Sequence, residues 1–390
     1  MTDTTHSARS GETGEIWILG AGGRIGGAVA AHLAAQGLRP VLVGRESSGD
    51  RLRDTAADLG TRAVVVDGAH GANGANGIDG IDGIAAEISR QRPAVVFNGI
   101  GNYAETAPVL ARACMPGGHY LDLAADLTAV PRLLGLHQEA ERAGSTLVTG
   151  SGFGVLATEA VVIRLCEGRP APAAVRVDAL ASVSLAAGVV GGAFAASMID
   201  TLATGGRRYS DGRMVTSRLG ADLQKLTLPD GQRAKSAGAP TAELIAAQRA
   251  SKAPSVTVTT GMAPPSPVMR ALAPPAGKLL SVGPLRRFAV GQMAKAKMKE
   301  TPRPRRHSWG HAVVTWSDGT HREGWLRADD GMDYTASVAA AVAARLARGE
   351  GRPGAYTPGA LFGADLAEQA GGQFLLPDMT HPAPDGAALG

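Results

Sequence analysis

Gly20, Gly23 and Gly26 stand three residues apart in "GAGGRIGG", with Gly22 as an extra glycine between them. Glycines spaced this way just ahead of a helix leave room for a phosphate to reach its free N–H groups and its positive dipole end. Gly20, Gly22, Gly23, Arg24, Ile25 and Gly26 are therefore the residues expected to meet a nucleotide. The spacing is G-x-x-G-x-x-G, not the dinucleotide fingerprint G-x-G-x-x-G, and Gly44 and Arg45 stand where that fingerprint is usually followed by an acid. A carboxylate there would hold a ribose 2′-hydroxyl and repel a 2′-phosphate, whereas a guanidinium grips the phosphate and stacks on adenine. The pattern predicts NADP(H) over NAD(H). Asp67 is read either as a partner of the adenine edge or as a strand-end turn residue, and Asn98, Gly99 and Gly101 as a small-residue loop along the nicotinamide riboside.

Hydride chemistry also needs a group that protonates the atom receiving the electrons. Tyr103, just after the Asn98 loop, is the first candidate, as proton donor or substrate orienter; the other reading is a tyrosine that packs the loop. Asp122 is the second. Alternation along "HYLD" puts Tyr120 and Asp122 on one strand face and His119 on the other, while Asp126 reads as an N-cap. Thr149, Ser151 and Phe153 are expected to line a substrate crevice between domains, with Phe194 and Tyr209 as further substrate contacts and Arg207 and Tyr334 as additional candidates. His307 and His311 are four apart, but prolines precede them and strand-like alternation follows, so no metal site is expected.

These residues need a scaffold. An apolar run at 17–19, a helix with Ile25, Val29 and Leu33 four apart, a stop at Gly37 and a second run at 41–43 make a β-α-β unit. Strands follow at 62–67, 94–99, "HYLDLA" and "TLVTG", with helices at 81–90, at "AETAPVLARAC" (Thr106 as N-cap, Pro108 in the first turn) and at "PRLLGLHQEAERAG". "GAHGANGANGIDGIDG" reads as a flexible surface loop. Six short strands with helical crossovers imply a doubly wound parallel sheet. From about residue 171 the pattern alternates apolar and polar, in "AVRVDALASVSL", "SVTVTTG" and "HAVVTWSDGTHREGWLRA", with a turn at Asp318-Gly319. After Gly331 the chain is helical again, and a shorter helix starts near Thr357-Pro358. The expected fold class is α/β, a Rossmann-type doubly wound parallel sheet with an inserted α+β domain of mixed or antiparallel sheet.

With 390 residues, 44% hydrophobic and 19% charged, the composition is that of a globular chain long enough for two cores. Cys114 and Cys166 form no disulfide framework or zinc spacing, and the first fifteen residues are polar, so a reducing, cytoplasmic setting is expected. No apolar run reaches the roughly 18 residues of a transmembrane helix. The net charge of +4 is uneven: between Lys278 and Arg306 nine basic residues face one acid, so that segment is +8 and the rest −4. This argues against a nucleic-acid-binding surface over the whole chain. Segment 277–306 reads as a flap over the substrate or a homodimer contact, with peripheral attachment to an anionic membrane as the alternative; Gly283-Pro284 and Gly291 are expected to interrupt any long helix there.

Four stretches together resemble the saccharopine dehydrogenase-like reductases, including their trans-acting enoyl reductase branch: "GAGGRIGGAVAAHLAAQG…VLVGR", "VVFNGIGNYAETAPVLARACMPGGHYLDLAAD", "GGAFAASMIDTLATGGRRYSDGRMV" and "DDGMDYTASVAAAVAARLARG…YTPGALFG". The resemblance implies a hydride-transferring reductase with a disordered N-terminus at 1–15, an NAD(P)-binding domain at 16–165, a substrate domain at 166–330 and C-terminal helices at 331–390 that return to the first domain. Three departures stand out: Asn102 between Gly101 and Tyr103 where the family has proline, Gly154-Val155-Leu156 where it has an aspartate and a proline, and Gly191-Gly192-Ala193-Phe194 for a Ser-Gly-Gly-Thr motif. Each removes polar groups near the expected substrate. The reading is an NADPH-dependent reductase of a C=C or C=N bond in a small apolar or polyketide-like metabolite. The alternatives are a non-redox cyclase or isomerase on the same fold and a nucleotide-sensing interaction protein.

Overall fold

The computed structural model describes residues 14–45, 49–66, 80–184, 187–189, 192–261, 279–280 and 282–376. Asp67, most of the glycine-rich stretch after it, and nearly all of the expected disordered N-terminus lie outside the described residues, as do the side chains of Arg45 and Phe194. Two compact units divide the chain. The first comprises the described residues through Leu123 with Arg132–Thr149 and Ala339–Tyr356; the second comprises Ala124–Pro131, Gly150–Val338 and the described residues from Thr357 on.

In chain order the first elements are β1 (Ile16–Leu19), α1 (Arg24–Ala35), β2 (Pro40–Arg45), α2 (Gly49–Asp58), β3 (Arg62–Val66), α3 (Ile81–Gln91), β4 (Val95–Asn98), α4 (Tyr103–Cys114), β5 (His119–Asp122), α5 (Ala129–Leu134), α6 (His137–Ala143) and β6 (Thr146–Val148). After them come α7 (Phe153–Cys166), β7 (Ala174–Leu180), β8 (Gly188–Val189), α8 (Gly192–Thr204), β9 (Gly206–Ser210), β10 (Arg213–Ser217), β11 (Gln224–Thr227), β12 (Arg233–Gly238), α9 (Glu243–Ser251) and β13 (Ser255–Thr260). The chain continues with α10 (Gly283–Ala294), β14 (Lys297–Met298), β15 (Ser308–Thr315), β16 (His321–Ala328), α11 (Gly331–Ala347), β17 (Gly354–Tyr356), α12 (Pro358–Phe362), α13 (Asp365–Gln369) and β18 (Gln373–Leu375).

The first unit holds a seven-stranded parallel sheet in the order β17-β6-β5-β4-β1-β2-β3, the doubly wound Rossmann arrangement. β1 and β4 are buried at every residue, as strands covered on both faces must be. β17 is a seventh strand beyond the six expected. The strand order reverses between β1 and β4, and the carboxyl ends of strands at such a reversal are where this fold leaves a crevice. Two local expectations are corrected. α4 starts at Tyr103, behind Asn102 at φ 48, so Thr106 is not its N-cap; Pro108 lies past the first turn. Proline there has no N–H for the Ala104 carbonyl, and Arg132 Nη1 donates to that carbonyl instead at 2.7 Å. "PRLLGLHQEAERAG" forms two short helices, α5 and α6.

The second unit is built on a nine-stranded mixed sheet, with the path β10-β9-β13-β7-β15-β16-β18 and a β11-β12 hairpin joined to β13. β13 and β7 run parallel, while β15 and β16 form the hairpin expected around Asp318-Gly319. The boundary expected at 165/166 falls instead between Thr149 and Gly150. The physical reason is α7, which buries residues around its whole circumference and packs on β7, β15 and β16. α10 corrects a further expectation: Gly283-Pro284 opens the helix and Gly291 lies inside it, because proline in a first turn fits helical geometry. Arg286 ties α10 to Asp200 of α8 through two bonds of 2.6 and 2.7 Å. Among the described residues no helix is long and apolar enough to cross a membrane.

Candidate functional site

Two loops meet at the strand-order reversal. Gly20, at φ 79, donates its N–H to the Val43 carbonyl at 3.3 Å and accepts from Gly23 at 3.0 Å, while Gly99 donates to the Leu19 carbonyl at 3.0 Å. A Cβ on Gly20 would lie 2.8 Å from the Gly99 carbonyl oxygen, and one on Gly26 would run into the Gly20 carbonyl, so glycine is required at both. Gly22 differs, since a Cβ there meets nothing within 4 Å. α1 begins behind Gly23 with no side-chain cap and no acid in its first turn. Gly22, Gly23 and Arg24 are exposed and Ile25 is half-buried. An uncapped helix start with open space before it suits a phosphate-bearing nucleotide. Gly44 and the backbone of Arg45 end β2 next to β1.

Below the Gly99 loop lies a polar network without exposed surface. Asn98 Nδ2 donates to Thr106 Oγ1 at 3.0 Å and to the Tyr120 hydroxyl at 2.9 Å, and its Oδ1 accepts from the Ile100 N–H at 3.1 Å. Thr106 Oγ1 donates to the Gly101 carbonyl at 3.0 Å. The Tyr120 hydroxyl donates to Asp122 Oδ2 at 3.1 Å, and Thr149 Oγ1 donates to Asp122 Oδ1 at 2.8 Å. Burial, with the Asp122 charge adding to it, holds the Tyr120 hydroxyl well above its ordinary pKa, so it stays a neutral donor. Asn98, Thr106, Tyr120, Asp122 and Thr149 are all at 0% exposure. Asp122 accepts from the Tyr120 and Thr149 hydroxyls, and the network ends on the backbone of the Asn98–Gly101 loop. Tyr103 is half-buried and packs against the apolar cluster of this unit.

In the second unit Phe153 is 5% exposed and stands edge-on to Tyr334 at 6.0 Å, and the Tyr334 hydroxyl donates to the Ala367 carbonyl at 2.9 Å. Both are buried in the core of this unit. Ser151 is fully buried and its Oγ has no hydrogen-bond partner among the described residues. Tyr209 is half-buried in β9. Arg207 Nη1 donates to the carbonyl of Gly206 at 2.9 Å. The sequence reading missed Glu243. A Cβ on Gly154 would run into Glu243 Oε1, and Glu243 Oε2 has no hydrogen-bond partner. Burial pushes this carboxyl upward in pKa, while the Thr241 hydroxyl and the residue's own amide pull the other way. Gly154 therefore makes room for a carboxyl brought from α9, which corrects the expectation that this departure only removes polarity. The one available signal was the small residue itself. Among the described residues no group of three or more His, Cys, Asp or Glu is placed to hold a metal ion.

No protein-family model and no curated protein sequence matches the chain. Solved structures similar to part of it include a short-chain dehydrogenase from Sphingobium yanoikuyae in complex with NADPH, at 17% identity and a TM-score of 0.27, spanning 35% of this chain and 70% of that one. YwfH, an NADPH-dependent reductase involved in bacilysin biosynthesis, is similar at 14% identity and a TM-score of 0.27, over 35% of this chain and 75% of its own. A blue fluorescent protein from a metagenomic library in complex with NADPH is similar at 18% identity and a TM-score of 0.27, over 35% and 72%. The resemblance to saccharopine dehydrogenase-like reductases rests on the sequence motifs.

Proposed function

We propose that the chain is an NADPH-dependent oxidoreductase that reduces a C=C or C=N bond of a small apolar or polyketide-like metabolite. The observation that carries this reading is the uncapped, open start of α1 at the strand-order reversal, where Gly20 and Gly99 bring two loops together. NADPH bound there supplies a hydride. The N-terminal end of α1, with its positive dipole, is proposed to bind the pyrophosphate, and Gly22 leaves the space it needs. Arg45, at the end of β2, is proposed to take the 2′-phosphate. The backbone of Gly99 and Gly101 is proposed to lie along the nicotinamide riboside, held from beneath by Asn98 and Thr106. Tyr103, the first residue of α4, remains the proposed proton donor.

A non-redox cyclase or isomerase, or a nucleotide sensor, is favoured by one observation: Asp122 is enclosed and Tyr103 packs on the core. NADPH absorbance followed with a panel of enones, enoyl thioesters and imines separates the readings. Oxidation is expected with at least one of them, and Tyr103→Phe should lower kcat by about 10² with NADPH affinity unchanged. Tight NADPH binding without oxidation by any member of the panel would favour the non-redox alternatives.

A further inference from the structure

Three strands of the second unit place side chains in register on the sheet face opposite the apolar one. Thr315, Ala174 and Ser255 form one row across β15, β7 and β13; Val313, Arg176 and Thr257 form the next; His311, Asp178 and Thr259 form the third. The alternate residues Val175, Val177, Val256, Val258, Ala312 and Val314 are buried on the other face. Polar residues at alternate positions are what a sheet face open to water carries. Here the first two rows instead border a cavity of about 230 Å³, with Asp222 and Gln224 also on its wall. That volume is below the roughly 300–1,000 Å³ of drug-sized sites and suits a small metabolite.

The cation of this cavity is held in place from behind. Arg176 Nε and Nη2 bond Asp178 Oδ2 at 3.2 and 2.9 Å, and the side chain keeps 25% exposure. Fully buried Asp178 also meets His311 Nδ1 at 2.8 Å and accepts from the Thr259 hydroxyl, which pairs with Ser236 at 2.5 Å. The other ring nitrogen of His311 lies 2.9 Å from Glu323 Oε1, and Trp325 stacks on the ring at 3.8 Å. With a carboxylate on each nitrogen, the imidazole carries both protons. Burial alone would lower the His311 pKa, and the bonds to Asp178 and Glu323 outweigh it and raise it. The facing charges are Arg176 and Asp178 on β7 and Glu323 on β16, with His321 beside Glu323; β12 and β13 add only hydroxyls. While His311 is protonated, Arg176, Asp178, His311 and Glu323 balance to zero, and loss of its proton leaves them at −1, with Asp222 on the wall adding one negative charge in either state.

The hydroxyls of Ser255, Thr257 and Thr315 and the amide of Gln224 have no protein hydrogen-bond partner among the described residues. Asp222 on the same wall would repel a second negative group on a ligand. We propose that this cavity is a ligand site, separate from the nucleotide reading, that takes a small polyhydroxylated monocarboxylate, with Arg176 receiving the carboxylate and the free hydroxyls and amide receiving the ligand's hydroxyls.

Isothermal titration of the full chain with sodium gluconate at pH 6 and pH 8.5 tests this, with sorbitol, citrate and inorganic phosphate as controls. Saturable gluconate binding is expected at pH 6, weaker towards pH 8.5, the direction in which His311 gives up its proton, and weaker at both in Thr257→Val and Arg176→Gln. If Arg176→Gln fails to fold, Thr257→Val and Thr315→Val still decide, since those hydroxyls bond no other described residue. No saturable binding, binding unchanged in the threonine variants, or binding of sorbitol, citrate or phosphate as tight as that of gluconate would overturn the proposal.

Discussion

Asp122 and Asp178 are both carboxylates without exposed surface, each at the centre of a polar network in its own unit, and they are put to different uses. Asp122 accepts from the hydroxyls of Tyr120 and Thr149, and its network ends on the backbone of the loop that follows β4. Asp178 sits between Arg176 and His311, and its network ends at a cavity wall. A buried carboxylate costs several kcal/mol of desolvation, which hydroxyl donors offset by hydrogen bonding and cations offset by charge. The first arrangement fixes a loop. The second sets the charge of a surface, and its state follows pH.

The comparison breaks most visibly when the carboxylates are removed. Asp178→Ala leaves Arg176 and His311 without their shared counter-charge, and a loss of about 3–5 kcal/mol is expected in urea denaturation. Asp122→Asn is isosteric and keeps an acceptor for one hydroxyl, so about 1–2 kcal/mol is expected. The reverse order would show that hydroxyl and cation partners are not the distinction that matters.

A separate effect is expected at the nucleotide. With the 2′-phosphate held as proposed, Arg45→Ala would remove one charge-assisted contact, about 1.5–3 kcal/mol, so NADPH should bind about ten- to a hundred-fold more weakly and NADH hardly differently. Equal affinity of the unaltered chain for both cofactors would remove Arg45 from the site.

A further effect is in the pH dependence of the second unit. Glu159 is fully buried, and burial raises its pKa from 4.5 to about 7 against the bonds from Thr357 and the Gly359 N–H. Its contribution to stability is complete below pH 4.5 and lost as pH rises through 7. His311, also raised, adds a loss in the same direction above its ordinary 6.5. Asp178 and Glu323 are lowered, so their contributions are lost as pH falls. Denaturation midpoints should therefore fall from mildly acidic to alkaline pH, and Glu159→Gln should flatten the part between 4.5 and 7; an unchanged slope would show that Glu159 keeps its ordinary pKa.

The β-α-β start was legible because strands buried on both faces are near-continuous apolar runs and the glycines fall where backbones touch. The shared face of Tyr120 and Asp122 was legible from the two-residue period. The closure of Asp122 was not, because it depends on Asn98 and Thr149 from neighbouring strands, and strand order is not written in any one segment. Thr106 looked like an N-cap because of its residue type, yet α4 starts behind Asn102 in a left-handed conformation without a side-chain cap. Gly283-Pro284 looked like a break although proline in a first turn starts a helix equally well. Gly154 looked like a lost aspartate, and only folding shows that Glu243 from α9 fills the vacancy.

Nucleotide binding at the start of α1 is most directly tested by titrating the full chain and its Gly22→Asp variant with NADPH. The new side chain has open space, so the fold should be kept, with an unchanged thermal midpoint, while its carboxylate occupies the place proposed for the pyrophosphate. Binding by the unaltered chain and at least a ten-fold loss in the variant, about 1.4 kcal/mol, is the expected result. No uptake of NADPH by the unaltered chain, or equal affinity in a folded Gly22→Asp variant, would contradict it.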